Sequence, residues 1–404
     1  MSLPRRAFNR LAVQVLALSA SALGGAGCAR PATLPTRSGS GGVTSGLVIL
    51  AQFPGLPHAV PRRWAQRRFS QELPDYVAEM SYGRVRLHAE ITETWHTLPR
   101  PVAQYAISPR NLEVDKTRVR GLIDDALNAV DRDVDVSKYD FTAIFLGAKR
   151  EEYGMVGLCG WPGMLGWSTR ESLTTARGHV LSGGVAIFCY QAHLGTLFHD
   201  VGHILGGVRD GKRLVPCLYD HDLQARPGPL RDVFLGAIVN MGFWDPMSCH
   251  FHKWEIPPPG LSSWTRLRLG WVDPGRVRVV KPTERTELLL GPLADASANV
   301  LAVKIPLSAS TYYLIENRQP VGFDRYLPGQ GVLVMFADDT IAECRRGQAP
   351  VKLVNADPTL PRLEGAAFDF PRMTTFEDEK HRFRVTLLGK EAGGYRIRVE
   401  PLPR

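Results

Sequence analysis

The first two thirds of the chain carry two kinds of hydrophobic pattern, one typical of strands and one typical of helices. Apolar runs at 46–53 and 141–146 predict buried β-strands. Residues 69–91 predict a helix that ends at a Ser-Tyr-Gly turn and is followed by an alternating strand, and 119–133 has apolar residues at helical spacing. Residues 185–206 begin as an apolar run and continue as a helix. This mixture predicts an α/β (α+β) domain.

The last third of the chain has a different pattern, in which short alternating runs are separated by turn residues. These runs lie at 276–281, 286–291, 300–305, 311–316, 331–336, 382–388 and 394–399. Regularly spaced short strands predict an all-β, sandwich-like domain. We therefore place a domain boundary near 274–282, with the mixed domain at 46–275 and the β-rich domain at 276–404. The stretches 151–184 and 207–262 predict mostly loops.

Composition and charge narrow the class of protein. The 404 residues are enough for two packed domains, and a composition of 44% hydrophobic and 22% charged residues excludes a disordered chain. The net charge of +9 comes from basic residues spread along the chain, without a dense Lys/Arg tract. We therefore expect no nucleic-acid partner, and we expect a monomer.

The N-terminus has the features of an export signal. Three arginines precede a short apolar run at 11–25, which is followed by small residues and is too short for a good membrane span. Cys28 follows GGAG, as at a lipoprotein cleavage site, whereas in a plain secreted protein it would be an unremarkable cysteine. We predict a signal peptide at 1–28 and a flexible tether at 29–45. The protein would then be a periplasmic or cell-surface lipoprotein, attached to the membrane through lipidated Cys28, or a secreted protein.

Export would make disulfide bonds possible in the remaining chain. Four cysteines lie in the central region and allow two bridges, with Cys344 left over: Cys159, Cys189, Cys217 and Cys249. Their spacing does not match a zinc ribbon, and their pairing stays open.

The segment TLFHDVGHILGG at 196–207 carries the candidate chemistry. On a helix, His199 and His203 lie one turn apart on one face, where two imidazoles can bind one Zn²⁺. Asp200 can contact a water on that metal, and Gly206 lets the chain turn back toward it. This is the layout of the zincin motif H-E-x-x-H, with aspartate in place of glutamate. Histidine pairs at this spacing also occur on ordinary helix surfaces and in cores.

Six segments, in order along the chain, resemble the immune inhibitor A family of metallopeptidases. They are VILAQFPG at 48–55, SYGRVRLHAEI at 81–91, HDVGHILGG at 199–207, MGFWDPMS at 241–248, LSSWTRLRLGWVDPGRV at 261–277 and YYLIENRQPVGFDRYLPGQGVLVMF at 312–336. The resemblance implies a zincin-like catalytic domain followed by β-rich structure. It implies zinc endopeptidase activity with His199 and His203 as ligands, and a methionine turn formed by Met247 beneath the metal.

The third metal ligand stays open at this point. Members of that family usually have an acidic residue soon after the glycine, in a sequence like GLPDLYD. The stretch GGVRDGKRLVPCLYD at 206–220 looks like that sequence with an insertion. Asp210 keeps nearly the family spacing and is our first choice, whereas Asp220 keeps the following residues. The remaining alternatives are His221, His250 and His252.

Two acidic pairs are candidate calcium sites, because calcium is common in exported peptidases. They are Asp338–Asp339 and the pair Asp220 and Asp222. Neither pair has the spacing of an EF-hand, so calcium stands beside zinc only as a second candidate cofactor.

The sequence as a whole predicts an exported zinc endopeptidase that acts on a protein or peptide substrate. His199, His203 and Asp210 would hold the metal, and Asp200 would be the catalytic base. Aspartate is one methylene shorter than glutamate, so its oxygen falls about 1 Å short of the usual position. The alternative is a catalytically weak or inactive homologue that acts as a surface binding protein. A third hypothesis is a structural lipoprotein in which the histidine pair is incidental.

Overall fold

The chain folds into a mixed α and β architecture with several sheets and few helices, as the hydrophobic patterns predict. The computed structural model describes residues 42–107, 114–167, 173–224, 236–391 and 393–403. The predicted signal peptide, Cys28 and most of the predicted tether lie outside the described residues. Within the described ranges, no helix combines the length and the apolar character needed to cross a bilayer.

Most of the described helices are short, and the two longest flank the larger sheet. The helices are α1 Arg62–Arg67, α2 Leu73–Met80, α3 Val102–Tyr105, α4 Lys116–Val130, α5 Arg150–Tyr153, α6 Leu194–Gly206, α7 His221–Gln224 and α8 Ser263–Arg268. A π-helical turn at Arg68–Glu72 joins α1 to α2.

The described strands fall into four sheets. They are β1 Val43–Gln52, β2 Arg86–Ile91, β3 His96–Thr97, β4 Phe141–Leu146, β5 Gly157–Trp161, β6 Gly184–Cys189, β7 Val208–Arg209, β8 Lys212–Arg213, β9 Val277–Val279, β10 Thr286–Leu290, β11 Ala302–Pro306, β12 Thr311–Arg318, β13 Gly331–Asp338, β14 Val351–Leu353, β15 Thr375–Asp378, β16 Phe383–Glu391 and β17 Gly394–Pro401.

The larger sheet has six strands and is predominantly parallel. Strand β1 pairs in parallel with β2, β3 and β4, and β4 pairs in parallel with β6. Strand β5 pairs antiparallel with β6 and ends the sheet on that side. The central strands are buried on both faces, because in β4 Phe145 faces one core and Ile144 faces the other. Such strands give continuous apolar runs in the sequence rather than alternation.

Three helices cover the two faces of this sheet. Helix α4 packs an apolar stripe against one face, through Val119, Leu122, Ile123, Ala126, Leu127 and Val130. On the other face lie α2 and α6, whose apolar residues share one core with β1, β4 and β6. Helix α6 is buried along nearly its whole length. Its polar side chains must therefore find their partners inside the protein.

The β-rich region consists of two sheets that pack face to face across one core. Their strand orders are β14-β13-β12-β11-β9 and β10-β17-β16-β15. Ile315 of β12 points into this core, whereas its neighbour Leu314 points the other way, into the core that contains α2 and α6. The predicted regions 46–275 and 276–404 therefore share a hydrophobic core.

A buried ion network also joins these two regions. Arg318 on β12 is fully buried and donates to Glu316 at 2.9 Å and to Asp324 at 2.6 Å. Its guanidinium also donates to the carbonyl oxygens of Trp244 and Gly260. A buried charge is tolerated only when it is paired and its donors are satisfied, so these contacts hold the loop before α8 against the β-rich region.

The structure differs from the predicted elements mainly in stretches that were expected to be loops. Residues 151–184 contain strand β5, and the sequence patterns did not predict β14 or β15. The sequence of β5 is GLCGW, whose two glycines and lack of alternation give no strand signal. Its strand conformation depends on pairing with β6, which lies about 30 residues further along the chain.

Candidate metal centre

Helix α6 presents two imidazoles to the same point. His193 caps its first turn by accepting a backbone N–H through Nδ1, and the helix ends at Gly206, where Gly207 follows with a φ of 65°. His199 and His203 lie one turn apart, and their Nε2 atoms are 3.1 Å from each other. Both side chains are buried. The spacing of four residues thus brings two metal-binding atoms together, as the sequence predicts.

Backbone carbonyl groups fix the orientation of both imidazoles. Nδ1 of His199 lies 3.0 Å from the carbonyl oxygen of Pro246, and Nδ1 of His203 lies 2.7 Å from that of Val215. A carbonyl oxygen only accepts, so each Nδ1 carries a proton, and each Nε2 presents a lone pair whenever the ring is neutral. Such support is typical of histidines that bind metals. Burial lowers the pKa of His203 to about 4, which keeps this ring neutral at neutral pH.

Cys217 completes the group. Its Sγ lies 3.5 Å from Nε2 of His199 and 3.4 Å from Nε2 of His203, and all three residues are buried. A tetrahedral ion with bonds of about 2.0 Å to nitrogen and about 2.3 Å to sulfur requires N–N distances of about 3.3 Å and N–S distances of about 3.5 Å. The observed distances fit this requirement closely. The three residues could therefore hold one metal ion.

Two neighbouring side chains stabilise the thiolate form of Cys217. Nη2 of Arg213 lies 3.8 Å from Sγ, and the hydroxyl of Tyr219 hydrogen-bonds to the same sulfur. Burial alone would raise the pKa of the thiol. The surrounding basic side chains, among them the permanently charged Arg213, outweigh that effect and hold the pKa of Cys217 well below its ordinary value. The thiolate is the form that binds metals.

Asp200 supplies a carboxylate beside this group. It follows His199 on α6, and its Oδ2 has no hydrogen-bond partner among the described residues. Burial raises the pKa of Asp200 to about 7, against the opposing influence of His199 and Arg213. Buried polar atoms are nearly always paired, so an orphaned carboxylate oxygen indicates a site that serves something other than the fold.

A cavity of about 1400 Å³ opens onto these residues. His199, His203, Cys217 and Asp200 line it, together with residues 155–159 of the β5 segment. The rest of its lining includes the loop after Met247 and several aromatic side chains: Trp167, Tyr219, Phe243, Phe251 and Trp254. The candidate centre is thus reachable by a ligand much larger than water.

Met247 packs directly beneath the two histidines. Its sulfur would lie 3.5 Å from a Cβ built on Gly202, the residue before His203 on α6. Its backbone N–H donates to Asp245, whose other carboxylate oxygen accepts from the backbone N–H and hydroxyl of Ser262. The same turn also supplies the Pro246 carbonyl that orients His199.

The structure leaves Asp210, the first choice for third ligand, outside the metal-binding group. Asp210 is exposed, with a φ of 51°, at the turn between β7 and β8. The insertion that separates this sequence from the family pattern thus forms a hairpin that points its acid away from the histidines. The chain returns to them only at Val215, and Cys217 takes the third position.

The other candidate ligands have different partners. Asp220 is buried, but its carboxylate accepts backbone N–H groups of Asp222, Leu223 and Gly347. His221 lies 3.7 Å from Glu343 and also hydrogen-bonds to Cys217, so it neighbours the group without belonging to it. His250 hydrogen-bonds to Thr196 and packs on the His199 ring, and His252 packs on Phe243.

The acidic pairs that were candidate calcium ligands are engaged within the protein. Asp338 accepts from the backbone N–H and hydroxyl of Thr340, Asp339 pairs with Arg268 at 2.9 Å, and Asp222 pairs with Arg345. Among the described residues, neither pair belongs to a group that converges on one point.

Sequence reasoning missed Cys217 because it weighed the cysteines only as disulfide partners and as a zinc ribbon. Each of the five described cysteines is free and buried in the structure. The position of Cys217 in the chain could have identified it as a candidate ligand, because it lies on the same short stretch after the helix as Asp210 and Asp220. A thiolate is as good a zinc ligand as a carboxylate, so the residue qualified on chemistry.

Replacing Gly157 with alanine should destabilise the protein and disturb the centre. A Cβ there would lie 2.6 Å from Cγ2 of Thr196 and 3.0 Å from Oδ2 of Asp200. Overpacking of this kind costs about 1–3 kcal/mol of unfolding free energy, which denaturant unfolding measures. Gly389→Ala is the matched control, because its Cβ would meet nothing within 4 Å. Equal stability of the two variants would show that β5 does not press against α6 as described.

No protein-family model matches the chain, and a search of the curated proteins finds no match.

Proposed function

We propose that this protein is a zinc-dependent peptidase. The observation that carries the proposal is the buried convergence of His199, His203 and Cys217 at one side of a large cavity, with the orphaned carboxylate of Asp200 beside them. The family resemblance supports the same activity and a zincin type of fold. Two features of the fold agree with it: both histidines lie on one buried helix, and an antiparallel strand ends the neighbouring sheet.

The donor set favours zinc over other common metal ions. Two imidazoles and one thiolate are soft or borderline ligands, whereas magnesium and calcium take oxygen ligands. Three protein ligands leave the fourth tetrahedral position open, which is the arrangement of catalytic zinc sites rather than structural ones. Zinc bound there would act as a Lewis acid and lower the pKa of a coordinated water to about 7.

The residues of the chain would divide the remaining work. Asp200 would accept the proton of the attacking water and pass it to the leaving amine, since its Oδ2 is free of other partners. The carbonyl groups of Pro246 and Val215 would keep both imidazoles aligned throughout the reaction. The walls of the cavity would exclude bulk water and so strengthen these electrostatic interactions.

A peptide is the substrate that the surroundings favour. Strand β5 ends the sheet and lines the cavity beside the metal-binding group. The edge of a terminal strand can bind an extended peptide through backbone hydrogen bonds, independently of the peptide sequence. On β5 this applies outside Cys159 and Gly160, whose carbonyl groups already accept from the N–H groups of Met164 and Leu165. The apolar and aromatic side chains that line the rest of the cavity would accept apolar side chains of the peptide.

Trp254→Ala should weaken substrate binding with little effect on turnover. Trp254 lines the cavity yet is 51% exposed, so its indole is available to a ligand. Loss of that contact should raise KM about 10-fold for a peptide with aromatic side chains and leave kcat nearly unchanged. The control is Trp64→Ala, at an exposed tryptophan that does not line the cavity. An unchanged KM in the Trp254 variant would exclude this part of the cavity lining from substrate binding.

The peptidase proposal is tested by incubating the zinc-loaded protein with a mixed peptide library. His203→Ala serves as the blank, because it removes one ligand and keeps the rest of the chain. Cleavage that is absent from the blank is the expected result, and the products would reveal the side-chain preference. No cleavage by a folded protein with one zinc per chain would overturn the proposal.

A second candidate function is that of a metal-containing binding protein on the cell surface, and the shortness of Asp200 favours it. Asp200→Glu distinguishes the two. If the glutamate variant cleaves peptides and the natural protein does not, the natural protein is a binder. If the natural protein is the better catalyst, aspartate is suited to its task. The proposed location, an exported lipoprotein or secreted protein, rests on the N-terminal sequence alone.

A further inference from the structure

We infer that the β-rich region completes the metal centre, with Glu343 as a residue that positions the Cys217 side of the site. This inference rests on the proposed metal-binding role of His199, His203 and Cys217. It concerns two stretches of chain that are 121 or more residues apart. The ligand segment is 213–222, and the clamp loop is 343–347.

The ligand segment determines where the third ligand lies. It contains Cys217 itself, and also Arg213 and Tyr219, which both contact the Cys217 sulfur. On its inner side the segment is held by helix α6, because the carbonyl of Val215 accepts from Nδ1 of His203. It is also held by the loop that contains Met247, because the N–H of Leu218 donates to the Met247 carbonyl at 2.8 Å. Further along the segment, the N–H of Asp220 donates to the carbonyl of Ala237 at 2.8 Å.

The clamp loop also holds the ligand segment, through charged side chains. Glu343 pairs with both Nε and Nη2 of Arg213, at 3.2 Å and 3.0 Å, and Nη2 is the atom that faces the Cys217 sulfur. The Arg213 side chain is only 6% exposed, so the orientation of its guanidinium depends on this bidentate ion pair. Arg345 of the same loop pairs with Asp222 at the far end of the ligand segment.

Backbone hydrogen bonds join the same two stretches. The N–H of His221 donates to the carbonyl of Cys344, and the N–H of Gly347 donates to Oδ2 of Asp220 at 2.6 Å. The clamp loop is itself a tight turn, closed by reciprocal bonds between Arg345 and Gln348. Asp220 thus acts on the site indirectly, by fixing the segment that carries Cys217.

The position of the third ligand therefore depends on the docking of the β-rich region. Residues that hold a metal ligand in place typically change metal affinity by about 10–100-fold when they are replaced. Glu343→Gln keeps the shape of the side chain and removes the charge that orients Arg213. Asp220→Asn keeps Oδ1, which bonds to Asp222 and Leu223, and replaces only the oxygen that accepts from Gly347.

The test uses the full-length protein and two measurements other than peptide cleavage. Zinc affinity is measured by competition with a chromophoric chelator, and the thiolate-to-metal absorption band is recorded with Co²⁺ at saturation. We expect each variant to lose at least about 10-fold in zinc affinity and to show a shifted or weakened band. Glu284→Gln, an exposed acid paired with Lys281, is the control and should match the natural protein.

Two results would overturn this inference and leave the proposed metal centre and the peptidase proposal standing. One is an unchanged zinc affinity in both variants. The other is a lower melting temperature of the metal-free variants with an unchanged cobalt band, which would make the clamp loop a support of the fold only. Failure of the natural protein itself to bind zinc would instead overturn the metal centre and the peptidase proposal with it. Asp220→Asn keeps the test decisive if Glu343→Gln does not fold.

Discussion

Replacing Cys217 with serine should lower the zinc affinity of the protein by about 100-fold or more. A zinc site with four ligands is worth roughly 10–16 kcal/mol, so one ligand carries on the order of 3 kcal/mol. Serine has nearly the size of cysteine, but its hydroxyl stays protonated at neutral pH and binds zinc poorly. Chelator competition measures the affinity, and the thiolate-to-cobalt band should disappear in the variant.

Asp210→Asn provides the matched control for this prediction. Asp210 is exposed at the hairpin turn, so its replacement should leave zinc affinity and the cobalt band unchanged. The reverse outcome, in which Asp210→Asn loses zinc and Cys217→Ser keeps it, would restore the ligand set that the family pattern implies. It would also mean that the hairpin of β7 and β8 folds back onto the histidines when the metal binds.

Replacing Asp200 with asparagine should reduce kcat by about 100-fold to 10,000-fold while zinc stays bound. Removal of a positioned general base has effects of this size, and asparagine preserves the shape of the side chain. In the proposed centre the ligand atoms come from His199, His203 and Cys217, so zinc affinity should change little. Steady-state cleavage of one peptide and metal analysis of the same sample check both parts.

The Asp210→Asn protein also serves as the control for this experiment, because it removes one carboxylate outside the centre. Equal kcat values for the natural protein and the Asp200 variant would exclude Asp200 as the base. In that case the proton would have to go to another group that lines the cavity. A loss of zinc together with activity would instead show that the carboxylate supports the metal rather than the proton transfer.

Several features of the site could be predicted from short stretches of sequence. The spacing of His199 and His203 is enough to place both imidazoles on one helical face, and the structure brings their Nε2 atoms together. Continuous apolar runs predicted the buried strands β1 and β4, because central parallel strands are covered on both faces. The alternating runs near the C-terminus likewise predicted most strands of the two facing sheets.

The third position of the centre could not be predicted in the same way. Spacing favoured Asp210, which is closer to the helix in sequence than Cys217. The order is reversed in space because residues 208–213 form a hairpin before the chain returns. That return is determined by contacts with remote residues, such as the bond between Leu218 and Met247. A pattern within one stretch of chain carries no information about such contacts.

By itself, then, the sequence determined the elements and the chemistry that depend on neighbours within a few residues: the histidine pair, the adjacent carboxylate, the helix that carries them and the buried strands. Only the tertiary structure decided which residues meet them. It added Cys217, left Asp210 in solvent, gave β5 its strand conformation and brought Glu343 to Arg213. The physical reason is that local periodicity follows from backbone geometry, whereas the meeting of distant residues follows from how the sheets and loops pack into a shared core.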